Sequence, residues 1–236
     1  MRIVGVIQAR FSSRRLPGKI LTHVHGRPTL DYLVESLAHA RGLDGVVVAT
    51  SIDPSDDATA AYADSRGIAC HRGPLDDVAL RLLEAGETHG AHAIARINGD
   101  SPFMDPAVVD EAVSLFRASA VDIVTNVRPR SFPKGQSVEV IALAALRTAV
   151  AGMTTPQERE HVTPHLYAHP ESFSIRSFGT DARRPEVQLC VDDAEDLARC
   201  AAILQMLTVP PWQAGWRACV AAYDRCVAAS RAERAP

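Results

Sequence analysis

Apolar and polar positions fall in blocks along the chain, and the blocks change period in a regular order. Ile3-Val4-Gly5-Val6-Ile7 is a continuous apolar run of the kind a buried strand needs. Leu30, Leu33, Val34 and Leu37 then recur at helical spacing and predict a helix over about 29–41. Residues 45–50 read as a short buried strand. Asp53 before Pro54 reads as a helix start, with Gly67 as its stop. A brief strand over 68–71, a helix over about 75–89 and a strand over 93–97 follow. Asp105-Pro106 opens a helix to about residue 117, and 121–126 is the next strand. Strand and helix thus alternate through the first 126 residues, which predicts a mainly parallel sheet with helices on both faces. Ligands collect beyond the carboxyl ends of such strands. That singles out the loops 9–19, 49–53 and 98–105.

Beyond residue 128 the rhythm changes. Residues 128–135, Arg-Pro-Arg-Ser-Phe-Pro-Lys-Gly, form a turn-rich cationic loop. A strand is expected over 138–143, a helix over about 156–168 and an alternating strand over 173–178. The stretch 128–184 is expected to be an inserted lobe that closes the site or makes an oligomer contact. Residues 187–191 should return to the sheet, followed by a helix over about 194–207. The domain is taken as 1–207, with 208–236 as an amphipathic helical tail whose last residues fray.

Composition narrows the chemistry. A chain of 236 residues and 25.4 kDa with 47% hydrophobic residues can bury a real core. Its net charge of −3 offers no global field for nucleic acid, so a local basic loop points to a small anionic ligand. The five cysteines, Cys70, Cys190, Cys200, Cys219 and Cys226, lack ligand spacing and read as reduced thiols. With no secretory leader pattern and no apolar run near the roughly 20 residues of a membrane span, a soluble cytoplasmic protein is expected.

The first apolar run ends in Arg10, Arg14, Arg15 and Lys19, interleaved with two serines and a Pro17-Gly18 turn. Guanidinium forks give bidentate, charge-assisted bonds to phosphate oxygens, and loop amides complete such a cradle. The loop matches neither the Walker A pattern nor GxGxxG. Asp100 and Asp192 each end an expected strand, where two carboxylates facing a cationic loop suit Mg²⁺ against a nucleoside triphosphate. Asp105 and Asp193 sit where helix caps belong. Glu160 and His161 are candidate acid/base or substrate-binding groups. The remaining histidines show no metal-site spacing.

Ile7-Gln8-Ala9-Arg10, Ser13, and Arg15-Leu16-Pro17-Gly18-Lys19 resemble the signature of the acylneuraminate and 3-deoxy-manno-octulosonate cytidylyltransferases. Arg96-Ile97-x-Gly99-Asp100-x-Pro102, Arg159-Glu160-His161-Val162-Thr163-Pro164 and Val191-Asp192-x-x-Glu195-Asp196-Leu197 are closest to the spore-coat-polysaccharide-type branch. The resemblance covers about 1–207. It implies a three-layer, Rossmann-like α/β domain similar to nucleotide-diphospho-sugar transferases, commonly dimeric. It also implies transfer of CMP from CTP to a sugar, sugar acid or related acidic acceptor, with release of pyrophosphate.

On this resemblance Ala9, Arg10, Ser13, Arg15, Lys19 and Asn98 bind the nucleotide, with Asn98 placed to read the cytosine. Asp100 and Asp192 hold Mg²⁺, and Arg10, Arg15, Lys19 and Asp100 form the catalytic set. The acceptor falls to Arg130, Lys134, Glu139, Glu160 and His161. The chain departs from the family pattern at Ser137, where an Asp is expected, at Ser101 for a frequent Cys and at Asp193 for a frequent Thr. Two other classes fit the alternating pattern: a glycosyltransferase using a finished nucleotide-sugar, and an inactive nucleotide-binding subunit. The dense cations of the first loop argue against the former, because a triphosphate needs more of them. Retention of Arg10, Arg15, Lys19, Asp100 and Asp192 together argues against the latter.

Overall fold

The structure, a computed structural model, describes residues 1–13 and 15–233; Arg14, one of the expected loop cations, and the last residues of the tail lie outside them. The central strand β1 (Ile3–Gln8) turns Ile3 and Ile7 into one hydrophobic cluster and Val4 and Val6 into a second. Both of its faces are therefore covered, and the continuous apolar run follows from that. After β1, two-residue strands β2 (His23–Val24) and β3 (Arg27–Pro28) pair antiparallel across His25 and Gly26, both at positive φ. That is the backbone of a tight hairpin, too short for periodicity to announce.

Helix α1 (Thr29–Ala38), strand β4 (Val46–Ser51), a 3₁₀ turn at Pro54–Asp56 and helix α2 (Asp57–Ser65) follow. Strand β5 (Ala69–Gly73), helix α3 (Val78–Thr88), strand β6 (Ala93–Asn98), helix α4 (Pro106–Arg117) and strand β7 (Ile123–Thr125) complete the alternating half. Strand β8 (Glu139–Ala142) runs into helix α5 (Leu143–Gly152), and short helices α6 (Pro156–His161) and α7 (Thr163–Ala168) precede strand β9 (Ile175–Ser177). Helix α8 (Ala194–Met206) and helix α9 (Pro211–Glu233), kinked at Gly215, end the described chain.

The seven-stranded sheet has the order β5-β4-β1-β6-β8-β7-β9. It is mixed and mainly parallel: only β8 runs antiparallel to its neighbours β6 and β7. Residues of α1, α4, α8 and α9 pack on one face, and residues of α3, α5 and α7 on the other. This is the expected three-layer α/β arrangement. The chain leaves β1 toward β4 and β5, then returns on the opposite side of β1 as β6. The carboxyl ends of β1 and β6 therefore frame the switch point where α/β sheets open a crevice.

Four sequence readings need correction. The segment 128–184, expected as an inserted lobe, supplies β8 and β9 and so completes the sheet. Residues 187–191 form no strand; they lie extended beside Lys134, which donates to the Val187 carbonyl and accepts from Leu189 N–H, each at 2.9 Å. Val191 N–H then reaches the Asp100 carbonyl at 2.9 Å, which sets Asp192 opposite Asp100. The helix expected over 156–168 breaks at Val162, with φ 69° and ψ −70°. In a continuous helix Pro164 would lack the needed N–H and its ring would crowd the carbonyl of Glu160. Helix α5 was not foreseen, because Glu139 to Gly152 runs apolar and alanine-rich with no turn residue between strand and helix. The amphipathic tail helix packs onto the core, with Trp216, Cys219, Val220 and Ala222 of α9 buried.

Candidate active site

The loop after β1 is held in shape from beneath. Phe11 N–H donates to Asp56 Oδ1 at 2.6 Å, and Gly18 N–H donates to the Phe11 carbonyl at 2.8 Å. Gly18 has φ 73° with the Phe11 ring 2.9 Å from where a Cβ would stand, so both conformation and space require glycine. Asp56 is fully buried and also accepts from the Ser51 amide and hydroxyl. Its supporting role is invisible in the sequence, where it reads as a first-turn acid. At the end of β6, Gly99 N–H donates to the Gln8 carbonyl at 2.9 Å, and an added Cβ would meet Gln8 O and Ala9 Cβ at 3.1 Å. Only glycine lets the two strand ends close this far.

A cavity of about 930 Å³ opens between these ends. Arg10, Ser12, Ser13, Arg15 and Lys19 line it from the first loop, and Asn98, Gly99 and Asp100 from the β6 loop. Leu75 and Asp76, just before α3, form another wall, and Glu160 and His161 at the end of α6 a further one. Six expected site residues from the two central loops and two from α6 thus meet in one place.

Lys19 is the hub. Its Nζ donates to Asp100 Oδ2 at 2.8 Å and to Asp192 Oδ1 at 3.0 Å, while Arg15 pairs with Asp192 at 2.9 Å. Burial works against the ammonium charge, but Asp100 and Asp192 outweigh it and hold the Lys19 pKa above its ordinary value. Burial likewise resists ionisation of Asp192, yet Lys19 and Arg15 pull that carboxyl below the usual range. Beside them, burial and the surrounding carboxylates push the Cys190 thiol up to about 12, so it is no thiolate at neutral pH. Among the described residues no group of three His, Cys, Asp or Glu side chains could hold a metal alone. Two carboxylates at one point, beside a cavity lined by Arg10, Arg15 and Lys19, match the way Mg²⁺ is bound where phosphates and water supply its other ligands. The donor set fits a divalent metal that takes its remaining ligands from outside the protein.

Arg10 donates to the Leu75 carbonyl at 3.3 Å and pairs with Glu160 at 3.6 Å. Behind that wall, fully buried Arg81 donates to the carbonyls of Pro74 and Leu75. Its Nε and one terminal nitrogen have no partner among the described residues. Burial, aided by the Arg10 charge, lowers the Arg81 pKa to about 10, which leaves it charged at neutral pH and adds to the positive field behind the cavity.

The cavity floor is a network that sequence reasoning did not assemble. Arg96 lines it, donating twice to Gln8 Oε1, at 3.1 and 3.2 Å, and pairing with Glu139 at 2.5 Å. Tyr167 of α7 donates to the other Glu139 oxygen and contacts Thr125 Oγ1 at 2.8 Å. Glu139 is 3% exposed, so it serves the cavity through Arg96. Ala9 is buried, its amide donating to the Ala49 carbonyl at 3.2 Å. Arg130 donates to Ser137 Oγ at 3.0 Å and Lys134 is exposed; neither lines the cavity.

With this geometry the family comparison is decisive, since the cytidylyltransferase family model matches residues 4–209, spanning every strand and the whole cavity. The chain belongs to the cytidylyltransferase family. Among relatives of this cytidylyltransferase, the spore coat polysaccharide biosynthesis protein SpsF of Bacillus subtilis is 29% identical over 209 residues, 86% of each chain. A cytidylyltransferase from Leptospira borgpetersenii superposes with a TM-score of 0.91 at 26% identity, covering 97% of this chain and 96% of that one. A CMP:2-keto-3-deoxy-manno-octonic acid synthetase solved with CTP shares the fold, with a TM-score of 0.68 at 21% identity, over 88% of this chain and all of the other. The chain is accordingly a nucleotidyltransferase.

Proposed function

We propose that this cytidylyltransferase transfers CMP from CTP to a sugar, sugar acid or related acidic acceptor, with Mg²⁺ and release of pyrophosphate, in surface-glycan or secondary-metabolite biosynthesis. The observation that carries this reading is the meeting of Arg10, Arg15 and Lys19 with Asp100 and Asp192 at the β1–β6 crevice. In it, Arg10, Arg15 and Lys19 bind the triphosphate with Ser13 and the amides of the loop around Ala9, and Asn98 faces the base. Asp100 and Asp192 hold Mg²⁺, which when bound neutralises phosphate charge and favours departure of pyrophosphate.

An acceptor oxygen forms a bond to the α-phosphorus as the bond from that phosphorus to the pyrophosphate oxygen breaks. The acceptor's proton passes to solvent or a nearby carboxylate. Cations already fixed by hydrogen bonds need little reorganisation as charge moves onto the leaving group, the usual large contribution in such reactions. Glu160 and His161 face the acceptor, with Glu139 setting Arg96 beneath it. The same reading puts the acceptor's acidic group toward Arg130 and Lys134. The enzyme works in the cytoplasm as a homodimer, supported by the open side of edge strand β9; light scattering at twice the 25.4 kDa chain mass checks it.

Pyrophosphate release from CTP and Mg²⁺ across a panel of sugar acids, polyol phosphates and phosphonates tests the reaction. Replacing Arg130 and Lys134 with Ala should raise the KM of an acidic acceptor about tenfold and leave that of CTP unchanged, a tenfold effect corresponding to about 1.4 kcal/mol. A changed CTP KM with an unchanged acceptor KM would remove both residues from the acceptor site.

A further inference from the structure

Each cation of the first loop that lines the cavity is paired with a carboxylate from another element. Lys19 has two short contacts and Arg15 one. The Arg10–Glu160 pair differs: it is the longest, at 3.6 Å, and its side chains are 26% and 45% exposed. The two partners are also anchored unequally. Arg10 keeps its bond to the Leu75 carbonyl if Glu160 leaves, whereas Glu160 has no second partner among the described residues.

The backbone beneath Glu160 is fixed regardless. Arg159, its neighbour, pairs with Asp77, the cap of α3, and donates to the Met153 carbonyl at 2.9 Å. Thr155 and Glu158 close a capping box at the other end of α6. Two residues on, Val162 is buried at φ 69°, a conformation a β-branched residue takes only under constraint. Strain of this kind gathers where a backbone must aim particular side chains, and here it ends α6 just after the two residues that face the cavity. A fixed segment thus carries the Glu160 carboxylate, whose one contact among the described residues is a cation that phosphate would claim.

We propose that Glu160 is a positioning residue that stands in for phosphate on Arg10 and is displaced by the nucleotide, which frees its carboxylate to face the acceptor. This rests on the reading of the cavity as a triphosphate site and adds an order to it: nucleotide first, acceptor second. Phosphate oxygens replace the Glu160 carboxylate on the guanidinium, so the charge of Arg10 stays compensated throughout. The swing needs only the Glu160 side chain, since Arg159 holds α6 on α3.

The consequence runs against the usual effect of mutating a cavity residue. Glu160→Gln removes the competitor and should tighten binding of inorganic tripolyphosphate and of CTP about two- to fivefold, the range expected for an exposed ion pair. Titration calorimetry on wild type, E160Q, R10Q and the double variant reads this, with melting curves to confirm that each is folded. Tighter binding by E160Q, and a double variant no tighter than R10Q, is the expected pattern. Equal or weaker binding by folded E160Q would overturn the exchange while leaving the nucleotide site standing. Failure of wild type to bind either CTP or tripolyphosphate would instead overturn the function itself, and the exchange with it.

Discussion

Lys19 shows how much one side chain carries here. It joins Asp100, 81 positions away, to Asp192, 173 positions away, and it is 8% exposed. Replacing it with Met leaves two half-buried carboxylates close together, with Arg15 on Asp192 as the remaining cation of the cluster. Removing one partner of a partly buried charge cluster costs about 1–3 kcal/mol, so Lys19→Met should lower stability by that order in urea unfolding and abolish nucleotide binding. An unchanged midpoint would mean that the three groups do not form one unit. The cations of this cluster were legible because they crowd around a Pro-Gly turn directly after an apolar run. The Gln8–Arg96–Glu139–Tyr167 floor was not, because its contacts join residues 28 to 88 positions apart and no local pattern marks them. Arg96 was visible in a motif, yet its work depends on Glu139, which only the antiparallel register of β6 and β8 brings opposite it.

At the scale of elements, the six residues of α6 bring Glu160 and His161 to the cavity. Glu158 caps its start and also accepts from His165 Nδ1 at 2.8 Å, tying α6 to α7 across the Val162 break. His165, with the Thr155 and Thr154 groups, lowers the Glu158 pKa from 4.5 to about 2. A depressed carboxylate stabilises the fold fully above its unfolded pKa and loses that contribution as pH falls through the folded one. The stability gap between wild type and Glu158→Gln should therefore be largest above pH 4.5 and shrink toward pH 2, as melting curves across that range would show. A gap independent of pH would assign the loss to packing instead. Element readings held best where caps are strong, as at Asp105 with Pro106, where observed and expected helices share both ends. They failed where apolar residues ran from strand into helix without punctuation, as through β8 and α5, and where tertiary contact alone decides, as at residues 187–191.

In a chain of net charge −3 the whole molecule gathers Arg10, Arg15, Lys19 and Arg96 at one crevice, so any attraction for anions is local to one end of the sheet. The alternation of the first 126 residues foretold that end by singling out the loops 9–19 and 98–105, while the sheet order alone puts β1 and β6 side by side. The antiparallel direction of β8 belongs to the assembled molecule and leaves little local trace, whereas the tail helix showed itself in its amphipathic pattern. The central claim, that this crevice takes CTP with a divalent metal, is tested most directly by thermal stability against CTP, ATP, GTP and UTP, each with and without Mg²⁺. A ligand at one hundred times its dissociation constant adds about 2.7 kcal/mol, a readily visible shift. The account predicts a shift selective for CTP, enhanced by Mg²⁺ and absent in Lys19→Met. No shift with any triphosphate, or an equal shift with all four, would contradict it.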